Sequence, residues 1–431
     1  MQEGSGMLQT TVSTTRQGDP LLSALKGGIR SPHELLNDIA PQFPDRFPRE
    51  PGAVNSIVTI DRHFKMPQVW KSSLALDYRL PFAFPALLTL EGTFIRDVYS
   101  IVQQDKNIDE TKISRFAGPD KRNFYPGKVE KRIDQDINYA ILMTNGHKGY
   151  SANFNATADL TPLPNLHVMA AYTFTASKTL TSNKSNQIDG AWQQEPSVQG
   201  PNYQTLHNAQ YLSSPHRIIA QLSYTTTYAR SHLSTSFSLF YEGQRAGTFS
   251  YLYDGDMNND GVSYDLIYIP RNREELNFTD KKSGDKPFTA EEQREAFWKF
   301  IDQDEYLRKH KGEYAKAHGA YLPWLHRFNV RITQDFKLKI GKQANTLRLS
   351  ADILNIGNLL NDSWGLAKGA SSSNGADLLH YTGVNEQGEP VYTQSTISEN
   401  GETILPYKTF MENRSPDNCW QLQIGLHYIF N

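Results

Sequence analysis

Trp420-Gln-Leu-Gln-Ile-Gly-Leu-His-Tyr-Ile-Phe-Asn431 closes the chain. Trp420, Leu422, Ile424, Leu426, Tyr428 and Phe430 share one face of an extended strand, and Gln421, Gln423, Gly425 and His427 share the other. Side chains alternate across a strand with period two. A terminal strand with an apolar face and aromatics at both ends of that face is the way outer-membrane β-barrels finish. The stretch therefore predicts an all-β, antiparallel transmembrane β-barrel.

Bulk composition points the other way. The 431 residues are 38% hydrophobic, carry a formal net charge of −2, and contain no run near the roughly 20 apolar residues of a membrane-spanning helix. A barrel escapes that test, because only alternate residues of a strand face lipid. The 22 Tyr against 6 Trp suit aromatic girdles, and the near-neutral charge argues against nucleic acid as a partner. A single cysteine, Cys419, excludes an internal disulfide and a cysteine-based zinc site.

Working outward from the end, the same alternation recurs. It marks strands at Val69–Leu80, Gly149–Leu160, Asn165–Thr175, Arg217–Thr225, His232–Glu242, Trp324–Leu338 and Thr346–Leu354, with weaker ones near Val54–Asp61 and Ala86–Tyr99. That makes about ten strands. Trp70, Tyr78, Tyr172, Trp420, Tyr428 and Phe430 are the expected lipid-facing or girdle residues. Arg79, Arg327, Arg331, Arg348 and Asp352 fall on the opposite face. An Arg or Lys turned to lipid near the midplane costs about 2–4 kcal/mol, so these five are expected to line a wet or plugged lumen. A lumen of that kind needs a wide barrel, and roughly ten strands make a narrow one, so further strands are expected beyond this chain.

Connections alternate in length. Those at 80–85, 161–164, 228–231 and 339–345 are short, whereas 101–136, 179–214, 249–323 and 358–417 are long. Short periplasmic turns and long extracellular loops produce this parity. Residues 1–53 read as an irregular segment, an upstream loop with a short helix starting at Ser31-Pro-His-Glu34, and 54–431 as the barrel portion. In the longest loop, Thr289-Ala-Glu-Glu292 is a capping box that predicts a helix near 289–308, with Phe297, Phe300, Ile301 and Leu307 on one side.

One loop motif has cation-binding chemistry. Asp254, Asp256, Asn258, Asp260 and Asp265 place oxygen ligands at alternate positions around Gly261, as a hard cation such as Ca²⁺ requires. Counted from Asp256 the pattern matches the first half of an EF-hand loop, but Ile267 stands where the bidentate Glu belongs. A polar turn is the competing reading. His216, His232, His326 and His427 lie on different strands, and no nucleophile set or phosphate loop is legible, so no enzyme is expected.

The residues also carry a resemblance. Pro323-Trp-Leu-His-Arg-Phe-Asn-Val-Arg-Ile-Thr-Gln-Asp-Phe336 and Leu349-Ser-Ala-Asp-Ile-Leu-Asn-Ile-Gly-Asn-Leu-Leu-Asn361, followed by Trp364-Gly365, resemble late-strand signatures of TonB-dependent outer-membrane receptors. Asp254–Pro270, Tyr306–Tyr314 and Lys148–Ser151 resemble the Oar-like group, which carries a carboxypeptidase-regulatory-like extension. The resemblance implies a 22-stranded barrel closed by a plug, an energy-coupling TonB complex as partner, outer-membrane lipid around the barrel, and import of a large or scarce nutrient in a Gram-negative bacterium. The chain accommodates about half those strands and shows no plug, coupling box or signal peptide, so it is expected to be the C-terminal part of such a receptor. A barrel-anchored surface adhesion protein is the alternative.

Overall fold

A computed structural model describes residues 55–210, 214–340, 343–370 and 376–430; the helix expected at Ser31 lies outside the described residues. The dominant sheet is built from β1 (Asn55–Ile60), β2 (Gln68–Arg79), β3 (Ala86–Asp105), β4 (Ile137–Gly146), β5 (Tyr150–Leu163), β6 (Leu166–Thr179), β7 (His216–Tyr228), β8 (Leu233–Arg245), β9 (Trp324–Ile340), β10 (Gln343–Leu354) and β11 (Gln421–Phe430). The order β2-β3-β5-β6-β7-β8-β9-β10-β11 is a nine-stranded antiparallel meander. It does not close on itself. Among the described residues, β2 pairs only with β3, and β11 only with β10.

Two expectations need correcting. The segment near Val54–Asp61 is not a strand of the meander: β1 pairs parallel with β4. And β3 runs on past Tyr99, so that Ser100–Asp105 pair with β4 and shorten the expected 101–136 loop. Strand reach is set by available partners as well as by alternation, and β4 supplies the partner here.

Register is continuous across the meander, which puts one set of side chains on one face. Leu76 registers with Leu90, Leu90 with Ala156, Ala156 with Tyr172, and Tyr172 with Ile218. Leu222 registers with Leu239, Leu239 with Val330, Val330 with Ile353, and Ile353 with Leu422. This face is bare: Leu74 is 81% exposed and Ile424 75%. Rings border it at both ends. Toward the long loops Trp70 packs on Phe94 and Phe94 on Tyr150, while Tyr241 stacks on His326 and His326 on Trp324. Toward the short turns stand Tyr224, Tyr228, Phe336, Tyr428 and Phe430, all exposed.

The hydrophobic core lies elsewhere. On the nine strands only Ala86, Val102 and Val330 are buried apolar residues among those described. The long connections fold instead into a body of their own. In it a four-stranded sheet joins Tyr251–Asp254, Ala376–Val384, Pro390–Gln394 and Asn277–Phe278. Its core holds Tyr251, Tyr253, Ile267, Ile269, Leu379 and Tyr392 together with Phe297, Phe300, Ile301 and Leu307.

Among the described residues the α-helices are α1 (Ile188–Gln193), α2 (Ala290–Gln303), α3 (Glu305–Lys309) and α4 (Ile356–Leu360). The capping box forms as read, with Glu292 N–H donating to Thr289 Oγ1 at 3.2 Å and Thr289 N–H to Glu292 Oε2 at 2.8 Å. The expected single helix near 289–308 is two. Asp304 takes an extended backbone, ends α2, and caps α3 by accepting from Leu307 N–H at 2.9 Å.

Candidate functional site

The face opposite the apolar one is a ladder of polar pairs. Arg331 meets Asp352 across β9 and β10 at 3.3 Å, and Arg348 forks onto both carboxylate oxygens of Asp335 at 2.6 and 2.8 Å. Arg217 pairs with Glu242, and Thr89 donates to Asp77 at 2.6 Å. Arg327 donates to the Gly365 carbonyl at 3.2 Å and to Asn418 Oδ1 at 2.6 Å, tying β9 to the segments that flank the last connection. Arg79 takes the position facing Leu87 at the turn end of this face. All five expected polar-face residues are thus on the side away from Trp70, Tyr78, Tyr172, Tyr428 and Phe430. Trp420 precedes β11, exposed like those five. Alternation sufficed to sort them, because one register slip would have exchanged the faces.

The Asp/Asn motif behaves differently from its reading. Asp254 is exposed and sits against His380, 3.9 Å from its Nδ1, apart from the others. Asp256 accepts from the backbone N–H of Asp260 at 3.1 Å and of Gly261 at 2.7 Å. Asn258 accepts from Asp260 N–H, and Asp260 from Val262 N–H at 2.8 Å. Asp265 reaches back to Met257 N–H at 2.8 Å and faces the guanidinium of Arg122 at 3.8 Å. Gly261, at φ +89°, makes the turn that brings these amides inward.

Of the expected calcium set, Asp254 stands apart, and Asp256, Asn258, Asp260 and Asp265 gather on the backbone amides of one turn. Among the described residues no group of three or more His, Cys, Asp or Glu side chains is disposed to hold a metal ion. The charges present are the protein's own. Burial raises Asp260 to about 7, the neighbouring Asp256 adding to this and buried Lys131 opposing it. Burial likewise holds Asp265 well above the usual carboxylate range, with Asp260 adding and Arg122 opposing. Arg122 is fully buried, bonded to Asp120 at 3.0 Å and to the Leu266 carbonyl at 2.7 Å, under the stacked rings of Tyr253 and Tyr392. The motif fastens the 254–265 turn to the 120–131 segment.

A second polar knot had no signature in the sequence. Ser182, Glu195 and His207 come from the 179–214 connection and His318 from the 249–323 connection, and all four are buried. Ser182 Oγ lies 3.3 Å from Nε2 of both histidines, and Glu195 Oε1 is 3.3 Å from Nε2 of His207. His207 Nδ1 faces the Thr205 carbonyl at 2.9 Å, so it carries the proton. A Ser-His-acid relay needs the acid on the imidazole nitrogen opposite the serine. Here serine and acid share one nitrogen, and the geometry is that of a bonded strut. Burial pushes Glu195 up to about 7 against the Ser182 N–H bond and Lys184. Burial, then the charges of Lys184 and His207, pushes His318 down to about 3. Sequence separation hides this knot, since Ser182 and His318 are 136 residues apart.

A cavity of about 670 Å³ opens beside this knot where β6, β8 and β9 meet the loop body. Lys178, Arg245, Tyr306, Lys316 and Trp324 line it. No family model matches the chain, and no curated protein matches it either.

Proposed function

We propose that this chain is the C-terminal barrel portion of an outer-membrane receptor of the TonB-dependent, Oar-like kind, importing a large or scarce nutrient in a Gram-negative bacterium. One observation carries the reading: nine strands share an exposed apolar face edged by aromatics, while the hydrophobic core sits in their connections. A water-soluble antiparallel sheet buries one face against a core. This sheet leaves its apolar face uncovered, and lipid is the solvent that suits it.

The dimensions agree. From Trp420 to Phe430 are ten residue steps of about 3.3 Å, which at a tilt of about 40° span roughly 25 Å, the height of an outer-membrane apolar band. The polar ladder then lines a lumen against a plug supplied by other sequence, through which the energy-coupling complex acts. The loop body forms the extracellular mouth.

Among the described residues β2 and β11 each keep an unpaired edge, which supports the reading of a part rather than a whole, because open edges are not tolerated in lipid. They are the expected seams for the strands of the remaining barrel. Residues 55–431 expressed alone should fail to give a heat-modifiable band in semi-native gels. A stable heat-modifiable band from this chain alone would overturn the partial-barrel reading and favour a self-contained small barrel.

A further inference from the structure

The cavity beside the knot has a location and a charge that the receptor reading does not use. Lys178 registers with Tyr150, and Arg245 with Trp324. Tyr150 and Trp324 belong to the loop-end aromatic row of the apolar face. Lys178 and Arg245 therefore lie on that same face, level with its aromatic edge. The cavity they line thus adjoins the apolar face rather than the polar ladder.

Its charges do not cancel. Of the cations in its wall, Lys309 is paired with Glu305 at 2.6 Å. Among the described residues, Lys178, Arg245 and Lys316 have no carboxylate at ion-pair distance. Lys178 Nζ donates only to Asn208 Oδ1, at 2.6 Å, and Arg245 lies over the Tyr321 ring. The nearby Asp304 carboxylate is already taken, by the Tyr251 hydroxyl at 2.6 Å, the Thr409 hydroxyl at 2.7 Å and Leu307 N–H. Lys178, Arg245, Lys309 and Lys316 against Asp304 and Glu305 are four positive charges to two negative, and the excess around one hollow attracts an anion with several acceptor oxygens. The remaining wall is aromatic: Tyr251 stacks on Tyr306, with Phe249, Tyr321 and Phe410 alongside. A volume of about 670 Å³ suits a headgroup-sized ligand.

We propose that this cavity binds the phosphate-bearing headgroup of an anionic lipid in the leaflet around the barrel. Lys178, Arg245 and Lys316 hold the phosphate, and the aromatic wall takes the sugar or glycerol and the first part of the acyl chains. Basic pockets at the edge of a membrane span recognise anionic lipids in this way. The proposal rests on the membrane reading of the sheet. It adds a lipid site on the outside of the barrel, distinct from any nutrient path through it.

The test uses the polypeptide as its gene encodes it, extracted from membranes in mild detergent and offered an equal mixture of phosphatidic acid and phosphatidylcholine. Native mass spectrometry counts the retained lipid. Phosphatidic acid should be retained in preference, and the double variant Lys178→Gln/Lys316→Gln should hold it about tenfold less. Lys282→Gln, on an exposed hairpin, should match the unaltered protein. Lys316 is exposed and Lys178 bonds one amide, so Lys316→Gln alone keeps the test valid if the double variant misfolds. Equal retention of the two lipids, or no loss in the variants, overturns the lipid site and leaves the membrane reading intact. Displacement of the lipid by soluble glucose 1-phosphate at equal concentration overturns the lipid as occupant in favour of a solute. Recovery of the protein in the soluble fraction overturns the membrane reading itself, and the lipid site with it.

Discussion

The meander and the loop body obey opposite rules. In the meander, neighbours in sequence are neighbours in space, apolar side chains point outward, and almost nothing apolar is buried. In the body, strands pair across long separations and Phe297, Phe300, Ile301 and Leu307 pack inside. One chain thus carries an exposed apolar face on its sheet and a buried apolar core in its connections. The difference shows that hydrophobic pattern assigns faces, and that the surrounding solvent decides which face is the inside.

The comparison can be broken most forcefully in the body. Phe300 is fully buried in its core, and Phe300→Ala should cost about 3–5 kcal/mol. Amide exchange should rise across residues 249–323 and 376–394 and stay unchanged in β9–β11. Exchange rising equally in both regions would show that they are one cooperative unit.

On the meander the decisive change is Ile424→Arg, in the middle of the bare face. It should cost about 2–4 kcal/mol in a bilayer. In aqueous solution the side chain is already exposed, so the same variant should leave the loop body's melting unaltered. Equal loss in water and in lipid would mean that this face is covered by protein.

The smallest of the three effects is pH-dependent and belongs to the Ser182 knot. His318, at about 3 against an ordinary 6.5, contributes stability that is complete above pH 6.5 and is lost as pH falls toward 3. Glu195, at about 7 against an ordinary 4.5, contributes stability that is complete below pH 4.5 and is lost as pH rises to 7. Between pH 6.5 and 4.5 the two oppose each other. Below pH 4.5 only the histidine side acts, and burial of His207 reinforces it. Exchange protection in residues 179–210 and 314–324, corrected for intrinsic rate, should be level from pH 6.5 to 4.5 and should fall below that. A steady decline from pH 6.5 downward would show that Glu195 does not hold its proton.

The meander was legible because a strand with one apolar and one polar face must alternate. Nine of the ten expected strands lie in it; β1 fails because six residues of Val and Ile among Asn, Ser and Thr fit any pleated edge equally well. The α2 start was legible because a capping box is local, whereas the break at Asp304 depends on Tyr251 and Thr409 from distant segments. The Asp/Asn loop shows why its residues alone admit two readings. Oxygens spaced to wrap a cation are spaced equally well to accept successive backbone amides, and here they do so. Neither the knot nor the cavity had a periodicity to read.

The pairing in the body also sets an order in time. Every strand of the meander from β5 to β11 joins the one before it, so each can be added as it arrives. The body cannot close that way. Tyr251 pairs with Ala376, and Asn277 with Val391, so its sheet waits until the last long connection has been delivered. Loop closure over such spans carries an entropy cost before any contact compensates it, and non-local pairing is slow. The loop body is therefore the last part of this chain to take shape, after the meander that carries it is nearly complete.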